Sequence, residues 1–551
     1  MASYPGQQTG ALDGADIASD VLVVGGGFGG VDSLIRLRNE GRSVKLLEAG
    51  SDFGGVWYWN EYPGARVDSD MPAYQLSHQK AWKGFNFTQK FPDWKELQAY
   101  FKHVDKTYHL RKDAIFNARV VSVERDEASN KWILSIEDGR RATCTYLILA
   151  TGTTNKAFIP NFPGRDNYKG QMIHPCRWPH DLDVRGKKVA LMGIGACGLQ
   201  IAQEIGEQDC QLSLFIRNPT TALPMRQRII PKEESEDLKI MYDGIFDTCK
   251  LISRTGFSHN TNKGSYYDAT PEERQALFDE LWDRGSFAIF NCFYPEFAID
   301  RTVNADMYRL WREKVCSRMT DQAKMDILAP AIQPYPFTCK RPSLEMHLWE
   351  TLDRPNVSVH SVKTDPIKEM NATGWITTGP DGTETQHDFD IIIFATGFDN
   401  VTGSLYDMKI RDANGVLLQD KWADGILTNL GMMVPDMPNL FMLYGPQAPT
   451  SLANGPPFLE LQTEWVEKVL KGLQEKGADR VETTLEAAQK WRARHLGIAE
   501  RTFYNEADSW YVGANIPGKR REMMIYVGGM QDWRAECERA LDGFQDFKVG
   551  K

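Results

Sequence analysis

Two glycine-rich loops, each set between an apolar strand pattern and a helical pattern, constrain this chain more than any other feature. The first, Gly25-Gly26-Gly27-Phe28-Gly29-Gly30, follows Val21-Leu22-Val23-Val24 and precedes a helical spacing over Ser33 to Arg38. The second, Gly193-Ile194-Gly195-Ala196-Cys197-Gly198, follows Val189-Ala190-Leu191-Met192. Each fits a βαβ unit, the first continuing into Val44-Lys45-Leu46-Leu47 and the second into Leu212 to Ile216. In such a unit the first glycine allows a tight turn, the second lets the backbone approach a pyrophosphate, and the third packs helix on strand. Gly25, Gly27 and Gly30 take those places in the first copy, and Gly193, Gly195 and Gly198 in the second. The helix that follows offers N–H donors to phosphate oxygens. Two such loops hold two nucleotides at once, which points to electron transfer between cofactors.

The residue that ends the second strand of each unit separates the ligands. Glu48 accepts hydrogen bonds from ribose hydroxyls and repels a 2′-phosphate, which suits FAD or NAD; Arg217 suits the 2′-phosphate of NADP. Gly54-Gly55-Val56-Trp57-Tyr58-Trp59-Asn60 follows Glu48, with glycines for close approach and aromatic side chains to wall a flavin ring. The expected fold is α/β: two Rossmann-like dinucleotide-binding domains, one for FAD and one for NADP, with a helical insert in the NADP domain. The boundaries are a flexible lead-in over 1–19, an FAD domain over 20–152 and 397–551, an NADP domain over 153–230 and 331–396, and the insert over 231–330. Within the insert, Thr270-Pro271-Glu272-Glu273 is a capping box, and Met307, Leu310, Trp311 and Val315 form an apolar stripe. Two Ala-Thr-Gly turns, at Thr151-Gly152 and Thr396-Gly397, mark the passages between the nucleotide domains.

Bulk properties exclude several classes. The 551 residues are 42% hydrophobic and 25% charged with a net charge of −10, which argues against nucleic acid or an anionic membrane as partner. Nine cysteines with no Cys-x-x-Cys pair, and none before Cys144, indicate a reduced, intracellular protein and not a disulfide reductase. The polar start from Met1 to Ser19 is no secretory leader, and no apolar run approaches the ~20 residues of a membrane span. A cytoplasmic monomer without a metal site is expected.

Between the loops lies Tyr168-Lys169-Gly170-Gln171-Met172-Ile173-His174-Pro175-Cys176-Arg177-Trp178-Pro179. It resembles the fingerprint of type I Baeyer–Villiger monooxygenases, Phe-x-Gly-x-x-x-His-x-x-x-Trp-Pro/Asp. Gly170, His174, Trp178 and Pro179 match, and Tyr168 replaces the phenylalanine. Gly54 to Arg66 resembles the family's flavin-side signature, with Glu61 where an arginine is usual. The resemblance implies flavin-side positions at Gly55, Val56, Trp57, Trp59, Asp68 and Tyr74. Asp68 matches the active-site aspartate, and Arg341 in Lys340-Arg341-Pro342 matches the arginine essential for oxygenation. Lys340 matches a position that contacts NADP, and Asn218 stands where the family carries a threonine. Trp510 and the Gly-Ala-Asn-Ile-Pro-Gly-Lys run after it match a loop that closes over the nicotinamide. Thr450, Ser451 and Leu452 correspond to the loop that shapes the ketone pocket.

What the resemblance implies is an oxidoreductase that takes a ketone and O2. NADPH reduces FAD, a C4a-peroxyflavin forms, and one oxygen enters beside the ketone carbonyl to give an ester or lactone. Arg341 would keep the peroxide anionic and stabilise developing negative charge, and Asp68 would hold the guanidinium. His174 is assigned to the hinge between cofactor domains and not to proton transfer. The alternative within enzymes is a flavin monooxygenase that oxidises amines or sulfides; the alternative outside them is a non-catalytic flavin redox sensor.

Overall fold

The computed structural model describes residues 16–259, 264–337 and 339–551. Residues 1–15 of the expected lead-in lie outside that range, and the first strand starts before the boundary drawn at residue 20. β1 is Ile17–Val24, and Ile17 pairs with Ala142. Its first residues alternate in burial before the continuous apolar run begins. The polar Ser19 and Asp20 hide that alternation in the sequence, which is why the strand reads as starting at Val21.

The chain continues through β2 (Val44–Leu47), β3 (Ala114–Ile115), β4 (Val120–Asp126), β5 (Lys131–Ile136) and β6 (Arg141–Leu149). β2 and β6 flank β1 in parallel, while β4, β5 and β6 form an antiparallel meander. After Gly152 the chain enters a second sheet. Its strands are β7 (Gln171–Ile173), β8 (Lys188–Met192), β9 (Gln211–Ile216), then, beyond a two-residue β10 (Leu223–Pro224) and β11 (Leu344–Glu345), β12 (Val357–Ser361). A separate antiparallel sheet of β13 (Ile367–Met370), β14 (Gly374–Thr378) and β15 (Glu384–Asp388) precedes β16 (Ile391–Phe394). The second sheet is parallel throughout, in the order β12-β9-β8-β16-β7. After Gly397 the chain returns to the first sheet, where β17 (Ile410–Arg411) pairs β4 and β18 (Leu440–Met442) pairs β6.

Parallel neighbours need crossover connections, and helices supply them. Phe28–Asn39 joins β1 to β2, and Ala196–Ile205 joins β8 to β9. The two loops are stereochemical repeats. Gly25 sits at φ +111° and Gly193 at φ +99°, and a Cβ there would lie 2.4 Å from the Ala150 carbonyl oxygen and 2.5 Å from that of Ala395. Each loop thus packs on the alanine of one Ala-Thr-Gly turn. A Cβ on Gly30 would lie 1.8 Å from the Gly25 oxygen, and one on Gly198 2.1 Å from the Gly193 oxygen.

Residues 231–330 carry helices and no strand among the described residues. The capping box forms: Thr270 accepts from the Glu273 N–H, and Glu273 from the Thr270 N–H at 2.7 Å. Met307, Leu310, Trp311 and Val315 are buried as one stripe of the helix Arg301–Cys316. Trp311 Nε1 donates to Ala222 O at 2.8 Å, tying that stripe to the segment that leads into β10. The paired strands β10 and β11 close the base of the insert.

A buried polar network ties the insert to the first sheet. Asp32 accepts from Arg36 (2.9 Å), His78 (2.5 Å) and Thr463, and Glu460 accepts from the Ser77 N–H (2.6 Å). Lys250 of the insert lies 3.3 Å from Glu460. Asp32, His78 and Glu460 are close enough together to suggest a metal site. Arg36, Lys250 and the hydroxyls already take the carboxylate oxygens, so the cluster reads as an ion-pair network.

Gly30→Ala is expected to destabilise the fold by about 1–3 kcal/mol through overpacking and to lower flavin retention. Gly497, inside a helix with nothing within 4 Å of its Cβ position, is the control: Gly497→Ala should hold or raise Tm. Thermal melts followed by flavin absorbance and by far-UV circular dichroism check both outcomes.

Candidate active site

On the first sheet, Gly27 caps the helix Phe28–Asn39 without any side-chain cap, so its first N–H groups are open to an anion. Glu48 is buried, and its two oxygens accept from the N–H groups of Gly26 (2.5 Å) and Gly50 (2.6 Å). The carboxylate therefore shapes the loop itself, which the sequence did not indicate. Each of its oxygens keeps a second lone pair for a ribose hydroxyl. Burial pushes the Glu48 pKa up, against the lowering effect of those N–H donors. Gly55 lies beside Gly27, where a Cβ on Gly55 would come 2.8 Å from the Gly27 Cα. Trp57 Nε1 donates to the Tyr74 hydroxyl at 3.1 Å, and the Phe28 ring meets Tyr74 edge-on at 5.2 Å. Val56 and Trp59 stay 40% and 37% exposed beside a buried Trp57. An uncapped helix start, a glycine contact and uncovered apolar side chains fit FAD.

On the second sheet, Gly195 caps the helix Ala196–Ile205, again without a side-chain cap, and nothing lies within 4 Å of its Cβ position. Arg217 is exposed at the end of β9. The Val362 N–H donates to Ile216 O at 2.9 Å, which sets Lys363 beside Arg217 across β9 and β12. Lys340 Nζ lies 4.8 Å from the centre of the Tyr335 ring, and the Tyr335 hydroxyl donates to Pro219 O at 2.6 Å. Among the described residues, none of these three cations has a carboxylate within ion-pair distance. Burial, then the charges of Arg217 and Lys363, pull the Lys340 pKa down to about 8. Three cations that repel one another fit a dianionic 2′-phosphate. Lys363 carries no motif and was not singled out in the sequence; only strand pairing brings it here.

The fingerprint segment forms the edge of the second sheet. Tyr168 donates to Phe389 O at 3.0 Å, and a Cβ on Gly170 would lie 2.2 Å from that hydroxyl and 2.6 Å from Asp390 O. β7 runs parallel to β16 and delivers His174 to the second Ala-Thr-Gly turn. His174 is buried; its Nε2 donates to Gly397 O at 2.9 Å, its Nδ1 faces the Cys176 N–H, and Phe398 packs edge-on at 5.1 Å. Burial pushes its pKa down, which favours the neutral ring. The same turn holds the C-terminal loop, because Asn515 donates to Phe398 O (2.8 Å) and Lys519 pairs with Asp399 (2.7 Å). Trp178 and Pro179 are half-buried, and the adjoining His180 lies 3.3 Å from Glu61.

Arg341 and Asp68 meet between the two sheets. One Asp68 oxygen accepts from both Nε (3.3 Å) and Nη2 (2.7 Å) of Arg341, and Nη1 donates to Ser451 O. Burial works against the guanidinium charge, but Asp68 holds its pKa above the ordinary arginine value. The Phe287 ring lies 5.3 Å beneath it. Of five N–H donors, three are used, which leaves two. Arg341 lines a small, partly open cavity with Ser451, Leu452, Ala453 and Tyr511, and with Thr255, Phe257, Phe287, Phe290 and Asn291 from the insert.

Two expected positions stand apart from the cavity. Thr450 is fully buried at φ +36° with its hydroxyl turned to Ala448 O, so Ser451 and Leu452 line the cavity and Thr450 does not. Trp510 is half-buried against Tyr511, ring centres 4.6 Å apart, and Tyr511 is the side chain that reaches the wall. The insert's wall was not foreseen. It is fixed by the Asn454 N–H donating to Thr255 O (2.7 Å), by Asn454 Nδ2 donating to Gly256 O (3.1 Å), and by Arg254 donating to Val527 O (2.9 Å).

Comparison with known proteins agrees with this geometry. Residues 18–229 match the family described as flavin-binding monooxygenase-like. The FAD-binding monooxygenase acrE of Aspergillus aculeatus is 36% identical over 100% of this chain and 92% of its own length. Cyclopentanone 1,2-monooxygenase of a Comamonas species is 33% identical over 100% of this chain and 99% of its own. Among solved structures, OTEMO in complex with FAD and NADP superposes with a TM-score of 0.91 at 30% identity, covering 97% of this chain and 100% of that one. Fold and sites together define a flavin- and NADPH-dependent monooxygenase, with FAD and NADP(H) as its cofactors. Within that class the chain belongs to the Baeyer–Villiger monooxygenase family.

A bound phosphate dianion would raise the Lys340 pKa from about 8. The complex therefore favours the protonated lysine, and affinity is full below pH 8 and declines as pH rises above it. Titrations from pH 7 to 10 should show NADPH affinity falling and NADH affinity flat. Lys363→Ala should weaken NADPH about fivefold or more and leave NADH unchanged.

Proposed function

We propose that this enzyme inserts one oxygen atom of O2 between the carbonyl carbon of a ketone and an adjacent carbon, with Arg341 as the residue that makes the insertion possible. The balance is ketone, O2, NADPH and a proton in; ester or lactone, water and NADP+ out. Bound FAD, reduced by NADPH, supplies the activated oxygen. The Arg341–Asp68 geometry carries this reading. The two N–H donors left on Arg341 are available to charge that builds on oxygen during the reaction, and fixed donors of this kind act strongly where water is excluded. Asp68 and Ser451 hold the guanidinium in place, so little reorganisation is needed as charge develops. The aromatic wall from the insert excludes water around the ketone.

On the coenzyme side, we assign Gly193, Gly195 and Gly198 to the pyrophosphate of NADP(H) and Arg217, Lys340 and Lys363 to its 2′-phosphate. On the flavin side, Gly25, Gly27 and Gly30 take the pyrophosphate and Glu48 the ribose, while Gly55, Val56, Trp57, Trp59 and Tyr74 stand around the flavin. His174 acts by holding the Gly397 turn, a role that its neutral, hydrogen-bonded ring supports. We further propose that the two sheets with their connecting segments are separate cofactor domains, and that the chain works as a cytoplasmic monomer. Nine free cysteines, seven of them buried, support a reducing compartment. No helix among the described residues is long and apolar enough to cross a membrane.

Arg341→Ala is expected to leave NADPH-driven flavin reduction within about threefold of normal while ester formation falls by at least ~100-fold, with oxygen diverted to H2O2. Stopped-flow flavin absorbance and product mass spectrometry read the two steps separately. Ester yield at the unmodified level in that variant would overturn the assignment. Product confined to N- or S-oxides, with no ester from any ketone, would favour heteroatom oxidation.

A further inference from the structure

Two glutamines on the helix Ala196–Ile205, Gln200 and Gln203, are only 6% and 2% exposed. Glutamine is mostly a surface residue, and a buried amide persists where hydrogen bonds satisfy it. The partners of these two lie outside the helix. Gln200 Nε2 donates to Arg66 O at 3.0 Å, and its Oε1 accepts from the buried Tyr62 hydroxyl at 2.8 Å. Arg66 stands two residues before Asp68. Gly64, at φ +80°, lets this stretch lie against the helix, since a Cβ there would come 2.8 Å from Gln200 O. The flavin side holds the other edge of the stretch: the Val67 N–H donates to Pro92 O at 3.1 Å, and the Trp94 N–H to Ala65 O at 3.0 Å.

Gln203 does for the Arg341 stretch what Gln200 does for the Asp68 stretch. Its Oε1 accepts from the N–H groups of Met346 (2.7 Å) and His347 (3.2 Å), which directly follow β11. Met346 stands five residues after Arg341. Residues three apart are neighbours on a helix surface, so one short patch of one helix fastens both backbone stretches that deliver the ion pair. The Asp68–Arg341 contact at 2.7 Å closes the circuit. The same helix begins at Gly195, where its first N–H groups have no side-chain cap. A single rigid element thus runs from the glycine loop to the two supports of the guanidinium.

We propose that Gln200 and Gln203 are positioning residues for oxygenation: they fasten the coenzyme-side helix to the stretches carrying Asp68 and Arg341, so that the helix sets the register of that ion pair. Neither side chain needs to touch coenzyme or ketone. Loss of either fastening leaves the pair free to form in several geometries, and donors that must reorganise as charge develops stabilise it less. The inference deepens the ketone-oxidising reading, with Arg341 in its assigned role, and rests on it.

The test uses the holoenzyme and the variants Gln200→Met and Gln203→Met, which keep the length of the side chain and remove its hydrogen bonds. Each should lower kcat for ester formation about fivefold to tenfold, with oxygen diverted to H2O2. The ketone KM and the rate of NADPH-driven flavin reduction should stay within about threefold, because the lost support acts on the transition state. Double-mutant cycles with Asp68→Asn separate positioning from general destabilisation. Where Asp68 no longer grips the guanidinium, Gln200→Met should cost less than about twofold further. The same cycle run on Tm should be non-additive, a readout independent of turnover. Should Gln200→Met fail to retain flavin, Gln203→Met carries the same prediction, and Tyr62→Phe, which spares the bond to Arg66, should give a smaller loss of the same kind. Unmodified ester yield in the Met variants, or losses that multiply in full with Asp68→Asn, overturns the inference while ester formation stands. No ester from any ketone with the unmodified enzyme overturns the ketone reading instead, and the Tm cycle still decides the coupling.

Discussion

The contact between Arg341 and Asp68 joins residues 273 positions apart and couples the two halves of the molecule. Asp68 belongs to the flavin side, and Arg341 to the segment that runs from the insert to the second sheet. Removing one partner of such a partly buried pair leaves an uncompensated charge, which costs stability. Much of the rest follows from it. The insert must pack where Phe287 can lie beneath the guanidinium, and the 450s loop must turn where the Ser451 carbonyl can receive Nη1. The strained φ values at Tyr444, Gln447 and Thr450 lie along that approach, and the buried Gln447 side chain, bonded to Thr428 and Ile426, holds them.

The two nucleotide units are built alike down to single contacts. Each first glycine packs on the alanine of an Ala-Thr-Gly turn, and each turn is where the chain leaves its sheet. At the second turn the repetition ends, because His174 grips one carbonyl and the loop after Trp510 grips the residues that follow. A histidine held neutral by burial, with its ring nitrogens facing backbone partners, is suited to holding a joint. It is poorly suited to moving protons.

The sequence disclosed what depends on local chemistry. Glycine spacing after apolar runs located both loops, because no other residue fits against the facing carbonyls. The capping box and the stripe at Met307 to Val315 located helices of the insert by the same kind of short-range rule. Arg341, Asp68 and the fingerprint became legible only through resemblance, since a lone arginine or histidine has no signature. What stayed hidden depends on tertiary packing. Phe287, Phe290 and Asn291 look like ordinary helix residues until the insert folds against Asn454. Lys363 joins Arg217 only when β12 pairs with β9. The alternation at Ile17 to Asp20, and the meander of β4 and β5, were masked because half of their residues face solvent.

Lys340 and Arg341 are neighbours in the chain, with Cα atoms about 3.8 Å apart, yet one stands with Arg217 and Lys363 and the other with Asp68 at the cavity. The chain has placed a long-distance receptor and its effector on a single link. On the proposed assignments, any shift of the backbone at this link moves both side chains together. Holding one of the two side chains therefore also limits where the other can stand.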